Sequence, residues 1–137
     1  MTQYTNPDKL ASLITSRLCH DLANPIGAVQ NGLELMELSG YPPSPELELV
    51  SASVSNAQSK IGFYRVVFGS EQRSDLSHAE IQTMLKQRSD DQRCQYLWTA
   101  TDTPNRATLK LLFLLGLCLE SSMPLGGQIK IDGGNDV

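Results

Sequence analysis

The chain has 137 residues and a mass of 15.0 kDa, with 40% hydrophobic residues, 19% charged residues and a net charge of −4, the profile of one compact domain or two small abutting modules. That length excludes a large multi-domain enzyme, and a pI near 5.0 without any run of Lys or Arg offers no electrostatic footprint for nucleic acid. Cys19, Cys94 and Cys118 are odd in number and far apart, so neither a CxxC site nor a disulfide framework is available, and they read as reduced thiols.

The first segment, MTQYTNPDKL, has no basic stretch followed by an apolar one, and the longest apolar run, residues 111–115, falls far short of the roughly 20 residues of a membrane span. A soluble, cytoplasmic protein is expected. The first helix is expected to begin after Asn6, with Pro7 at its first position, where a missing N–H does no harm. Leu10, Ile14, Leu18, Leu22, Ile26, Val29, Leu33 and Met36 then recur in steps of three and four, one apolar stripe on a helix far longer than the usual ten to fourteen or so residues. The helix should end at Ser39 and Gly40, and YPPSP at 41–45 reads as a rigid turn with Ser44 as N-cap and Pro45 at the next helical start.

A second stripe follows at Leu47, Val50, Val54, Ala57, Ile61, Tyr64 and Phe68, which completes an antiparallel helical hairpin over residues 1–69. A lone hairpin cannot cover two full-length apolar stripes, so a second copy is expected to complete a four-helix bundle, making the protein a homodimer. The remainder, residues 70–137, opens with the linker SEQRSD and a capping box at Ser77, His78, Ala79 and Glu80 that starts a helix to about Arg88. Residues 94–100, CQYLWTA, read as a strand with Tyr96 and Trp98 filling a small core, and Thr103 with Pro104 opens an apolar helix to Leu119. GGQIKI at 126–131 turns back into a second strand. The fold class is therefore α+β: a helical hairpin followed by a small, incomplete α/β domain.

On the first helix, His20 lies about 200° around from Leu18 at 100° per residue, on the side away from the apolar stripe. Its face carries Ser16, Arg17, Ala23, Asn24, Gly27 and Asn31, small or polar residues that let another protein approach the imidazole. The neutral ring nitrogen of an exposed histidine can attack an electrophile such as a phosphoryl group. Asp21 can accept a hydrogen bond from the other ring nitrogen and set the tautomer, or act as a base. Arg17, one turn earlier, is suited either to steady a phosphoryl oxygen or to remain a solvated charge. Pro25 removes one backbone bond, frees the Asp21 carbonyl and bends or breaks the helix at a cost of about 3 kcal/mol, a strain placed one turn after the histidine. Cys19 points about 100° away from His20 and makes a poor nucleophile pair with it, while His78 reads as a surface or capping residue.

The stretch SRLCHDLANPIGAVQNGLELM at 16–36 is similar to the phosphoacceptor box of dimerising histidine kinases, in which His is followed at once by an acid and five residues later by Pro. Together with KIGFYRVVFG at 60–69 it more closely resembles the alphaproteobacterial ChpT-type histidine phosphotransferases, where a matching first-helix segment is answered by R-x-x-F-G on the second. That resemblance implies that His20 is phosphorylated, that Asp21 is its neighbouring acid, and that Asp21 with Asn24 matches the D-x-x-N pattern of relatives that hydrolyse phospho-aspartate. It further implies receiver domains of a hybrid histidine kinase and of response regulators as partners, and the spacing around His20 gives Ser16, Arg17, Ala23, Gly27 and Asn31 as the face on which they are expected to dock.

The second half resembles a degenerate histidine kinase ATP-binding domain. Aligned on Gly126 and Gly127, Leu114 and Cys118 occupy the positions of two magnesium-coordinating Asn residues, and neither ligates a hard cation. Asp132, Gly133 and Gly134 come too close to the end for a D-x-G-x-G nucleotide box, and no GxxxxGK loop is present. Leu111, Leu112, Leu114 and Leu115 read as core. No ATP binding, no autokinase activity and no cofactor of its own are expected, with any magnesium supplied by the receiver's acidic pocket. The expected function is histidine phosphotransfer in a two-component phosphorelay. Its alternatives are a non-catalytic dimeric docking module for response regulators or kinases, and a receiver phosphatase using Asp21 and Asn24.

Overall fold

The computed structural model describes residues 6–69, 74–91 and 93–133. Among these residues six elements follow in order: α1 (Pro7–Leu38), α2 (Pro45–Phe68), α3 (His78–Asp91), β1 (Cys94–Trp98), α4 (Arg106–Ser122) and β2 (Gly127–Ile131). The chain divides into two compact units, Met1–Arg65 and Val66–Val137. The last turn of α2 thus belongs with the second unit, a few residues before the division at 69 expected from composition. Residues 70–73 of the expected linker and Gly134 lie outside the described residues. Among the described residues no helix is long and apolar enough to cross a membrane.

In the first unit, α1 starts as its sequence dictates: the Asn6 side chain accepts from the Asp8 N–H at 3.0 Å and Pro7 occupies the first turn. It ends in a Schellman turn. Gly40 takes φ 78°, its N–H bonds the Glu37 carbonyl at 3.0 Å, and the Tyr41 N–H reaches back to the Met36 carbonyl at 3.1 Å. Ser44 then caps α2 through the Leu47 N–H at 3.3 Å. Pro25 lies inside α1 and does not break it. A proline removes its own donor only, and the turns on either side keep theirs.

The burial of α1 departs from the apolar stripe. Its shielded positions include Ser12, Thr15, Cys19, Ala23, Ile26, Gln30, Leu33 and Met36, with Cys19 buried, whereas Leu10, Ile14, Leu18, Leu22 and Val29 stay exposed. Small residues at the first four of these positions let the backbone of a neighbour come close, and the larger leucines are left beside that face. On α2 the shielded positions include Leu47, Val54, Ala57 and Ile61, as the second stripe predicts, while Val50, Tyr64 and Phe68 remain exposed.

The second unit is a β1–α4–β2 crossover with α3 preceding it. The two strands run parallel in a register that pairs Cys94 with Gly127, Tyr96 with Ile129 and Trp98 with Ile131, which requires the intervening helix as a crossover. Ile81 and Leu85 of α3, Leu109 and Phe113 of α4, Cys94 and Trp98 of β1 and Ile129 of β2 form the core. On α4 the expected core residues are displaced: Leu111 and Leu115 are 57% and 52% exposed, and Leu112 and Leu114 only half-buried. The buried row is Leu109, Phe113 and Gly116, spaced by four and three, so the leucines some 200° away from Leu109 face solvent. The helix is capped by Asn105, whose side chain accepts from the Thr108 N–H at 2.9 Å, rather than opened at Thr103.

The capping box at α3 forms as expected, with the Ser77 N–H donating to Glu80 Oε2 at 2.8 Å and the Glu80 N–H returning to Ser77 Oγ at 3.3 Å. His78 is not a surface residue. It is half-buried with Nδ1 enclosed, its ring edge-on to Trp98 at 6.4 Å, because the first turn of α3 runs beside β1.

A polar network ties α3, β1 and α4 together. Arg88 Nε and Nη2 donate to the two carboxylate oxygens of Glu120 at 2.9 and 2.5 Å, and the Tyr96 hydroxyl donates to Glu120 Oε1 at 2.6 Å. Ser89 Oγ bonds the Leu85 carbonyl and accepts the Tyr96 N–H at 2.8 Å. Tyr96 reaches Glu120 only because Gly116 lies under its ring: a Cβ there would stand 2.7 Å from the hydroxyl. Burial by itself raises the Glu120 carboxyl, but hydrogen bonds from Arg88 and Tyr96 and the Arg88 charge outweigh it and hold the group below the usual carboxylate value. Burial and the Glu120 charge push the Tyr96 hydroxyl well up.

A carboxyl depressed on folding contributes stability above its unfolded pKa and loses it as pH falls through the folded value. Wild-type protein therefore loses stability on acidification below about pH 4, and Glu120→Gln flattens that dependence while lowering stability at neutral pH by about 3 kcal/mol. Urea titrations of both forms across pH check this; parallel profiles would contradict it.

Candidate functional site

Residues 17, 20, 21 and 24 occupy one side of α1, away from the shielded row centred on Cys19, because each step turns about 100°. His20 is exposed, with 64% of its side chain accessible. Its Nδ1 stands 3.3 Å from Asp21 Oδ1, and the other carboxylate oxygen, Oδ2, is held by Arg17 Nε at 2.9 Å. The aspartate thus divides its oxygens between a guanidinium one turn earlier and the imidazole next to it. With the proton on Nδ1, the ring donates to Asp21 and Nε2 keeps its lone pair on the outward side.

Ser16, Asn24 and Asn31 are exposed along the same side as His20, as the spacing predicts. Ala23 and Gly27 are half-buried and form its edge rather than its centre. A Cβ built on Gly27 meets nothing within 4 Å, so packing within the chain does not demand glycine there. Cys19 is buried about 100° around the helix from the exposed His20, which removes any thiol-imidazole pair. Among the described residues no group of three His, Cys, Asp or Glu side chains is gathered as a metal ion requires. On α4, Leu114 is half-buried and Cys118 exposed.

The Arg17–Asp21 pair escapes a reading of single residues, although its i,i+4 spacing is the signal that finds it. The Arg88–Glu120–Tyr96 network has no such signal, since its members lie 24 and 32 positions apart.

Comparison with known proteins gives three findings. Residues 78–136 match a family model described as the histidine phosphotransferase C-terminal domain. The chain is 28% identical over 125 residues to protein phosphotransferase ChpT of Brucella abortus (strain 2308), an alignment covering 89% of this chain and 59% of that protein. It is also similar to a 1.7 Å structure of a bacterial phosphotransferase, with a TM-score of 0.59 and 25% identity over 96% of this chain and 64% of that one. The chain therefore spans less than two thirds of the length of these relatives. The family match falls on the second half, whereas the resemblance read from residues 16–36 and 60–69 lies in the first.

Of the two histidines, His20 is open and His78 half-enclosed. Diethylpyrocarbonate is expected to modify His20 several-fold faster, read by peptide mass mapping over time; equal rates, or His78 first, would contradict the exposed geometry.

Proposed function

We propose that this chain, a relative of the ChpT-type histidine phosphotransferases, relays a phosphoryl group through His20 between receiver-domain aspartates in a two-component phosphorelay in the cytoplasm. The observation that carries the reading is the exposed imidazole whose Nδ1 is engaged by Asp21, leaving Nε2 on the outward side of a long helix.

In the transfer, the Nε2 lone pair attacks phosphorus of a receiver's acyl phosphate. The bond to the aspartyl oxygen breaks with its electron pair remaining on the receiver's carboxylate, and the Nδ1 proton stays shared with Asp21. A second receiver's carboxylate reverses the step. Such in-line displacements need chiefly positioning and charge stabilisation. The receiver docks over Ser16, Arg17, Ala23, Gly27 and Asn31, and any magnesium comes from its acidic pocket. The protein uses no ATP, since Leu114 and Cys118 offer no ligand for the metal of a nucleotide. Asp21 already shares its oxygens between Arg17 and His20, which weighs against its positioning a hydrolytic water with Asn24.

The homodimer belongs to the same proposal. Leu10, Ile14, Leu18, Leu22 and Val29 make an exposed apolar row along α1, and a second copy of the hairpin would bury it in a four-helix bundle. Rows of this length on a soluble surface mark an association face.

Incubation with a phosphorylated receiver domain is expected to leave acid-labile phosphate on the wild-type protein and none on His20→Gln. Release of free phosphate by His20→Gln at the wild-type rate would favour the phosphatase instead, and binding without phosphate movement the docking module. Light scattering is expected to give twice the chain mass at micromolar concentration and a single chain mass for Leu18→Asp/Leu22→Asp; a wild-type monomer would overturn the bundle.

A further inference from the structure

We propose that Arg17 is a positioning residue for His20, acting through Asp21, and this inference rests on the phosphotransfer reading above. An exposed aspartate on a helix turns freely about its side-chain bonds, and one carboxylate oxygen 3.3 Å from Nδ1 is a weak constraint by itself. Arg17 supplies the second anchor: with Nε on Oδ2 at 2.9 Å, the carboxylate plane is set and Oδ1 is turned to the imidazole. A histidine side chain free in water favours the proton on Nε2, the form in which the outward nitrogen has no lone pair to offer. Holding Asp21 beside Nδ1 reverses that preference and turns Nε2 into the nucleophile.

A role in helix stability accounts poorly for the same pair. It is exposed, at 76% and 48% of the two side chains, and places the cation N-terminal to the anion, the less favourable order against the helix dipole. Such a pair contributes little to folding. When phosphorus bonds to Nε2, the ring gains positive charge, and Asp21 takes up more of the Nδ1 proton. The proton stays between the two groups, and Arg17 keeps the carboxylate in place throughout.

The test reads the tautomer directly. Long-range 1H–15N spectra of the full chain, at a pH where the ring is neutral, are expected to show His20 mainly protonated on Nδ1 in wild type and mainly on Nε2 in Arg17→Ala. Arg17→Lys is expected to restore most of the wild-type pattern, because an ammonium also reaches the carboxylate from four residues away. Thermal melts of the three proteins should coincide, and phosphate uptake from a phosphorylated receiver should slow about fivefold in Arg17→Ala. Unchanged ring spectra in Arg17→Ala, or a wild-type ring already protonated on Nε2, would overturn the inference. Absence of label on wild-type His20 would instead sink the phosphotransfer reading, and the spectra, which require no phosphate, report on Arg17 separately.

Discussion

The rotation of about 100° per residue along an α-helix is the constraint on which this molecule depends. On α1 it sorts three functions onto one continuous rod. Small and mixed residues centred on Cys19 take the shielded side, large aliphatics from Leu10 to Val29 take the side beside it, and the polar row with His20 takes the third. Because the three surfaces share one backbone, an exposed imidazole is presented by a rigid element and not by a loop. The proposed transfer would need that rigidity, since an in-line displacement tolerates little misplacement of the attacking nitrogen.

The second unit is held by different means. Among the described residues its sheet has two strands and its core is small, so apolar burial is supplemented by a largely buried, bidentate Arg88–Glu120 pair that Tyr96 completes. Taking two charges out of water is costly, and the pair is tolerable because its carboxylate also receives a hydroxyl. Gly116 is the permissive element, since only a residue without a side chain admits the tyrosine ring across α4. Three elements, α3, β1 and α4, thereby become mutually dependent.

Local signals were legible in the sequence wherever the physics is local. Asn6, Ser44 and the Ser77–Glu80 box lie within a few residues of the groups they satisfy, and each cap formed where its residue type announced it. The exposure of His20 followed from helical spacing alone, as did the placement of Ser16, Asn24 and Asn31 beside it. Misreadings arose where a side chain's neighbour comes from elsewhere in the chain. A run of leucines on α4 looks like core throughout, yet the apolar positions the helix buries are Leu109, Phe113 and Gly116, not Leu111 or Leu115. His78 announces a cap, and the strand beside it makes it an aromatic neighbour of Trp98.

The sequence by itself determined the elements, the N-terminal caps of α1, α2 and α3, the outward face of α1 and the identity of the residues on it, because propensity, capping and periodicity act over a few residues of one chain. Tertiary structure decided which apolar stripe is covered and which is left open, the parallel pairing of β1 with β2, and the joining of Arg88, Tyr96 and Glu120. Those outcomes depend on distances between segments that have no sequence signal. A helix can carry two plausible apolar faces, and only the segment that packs against it selects one.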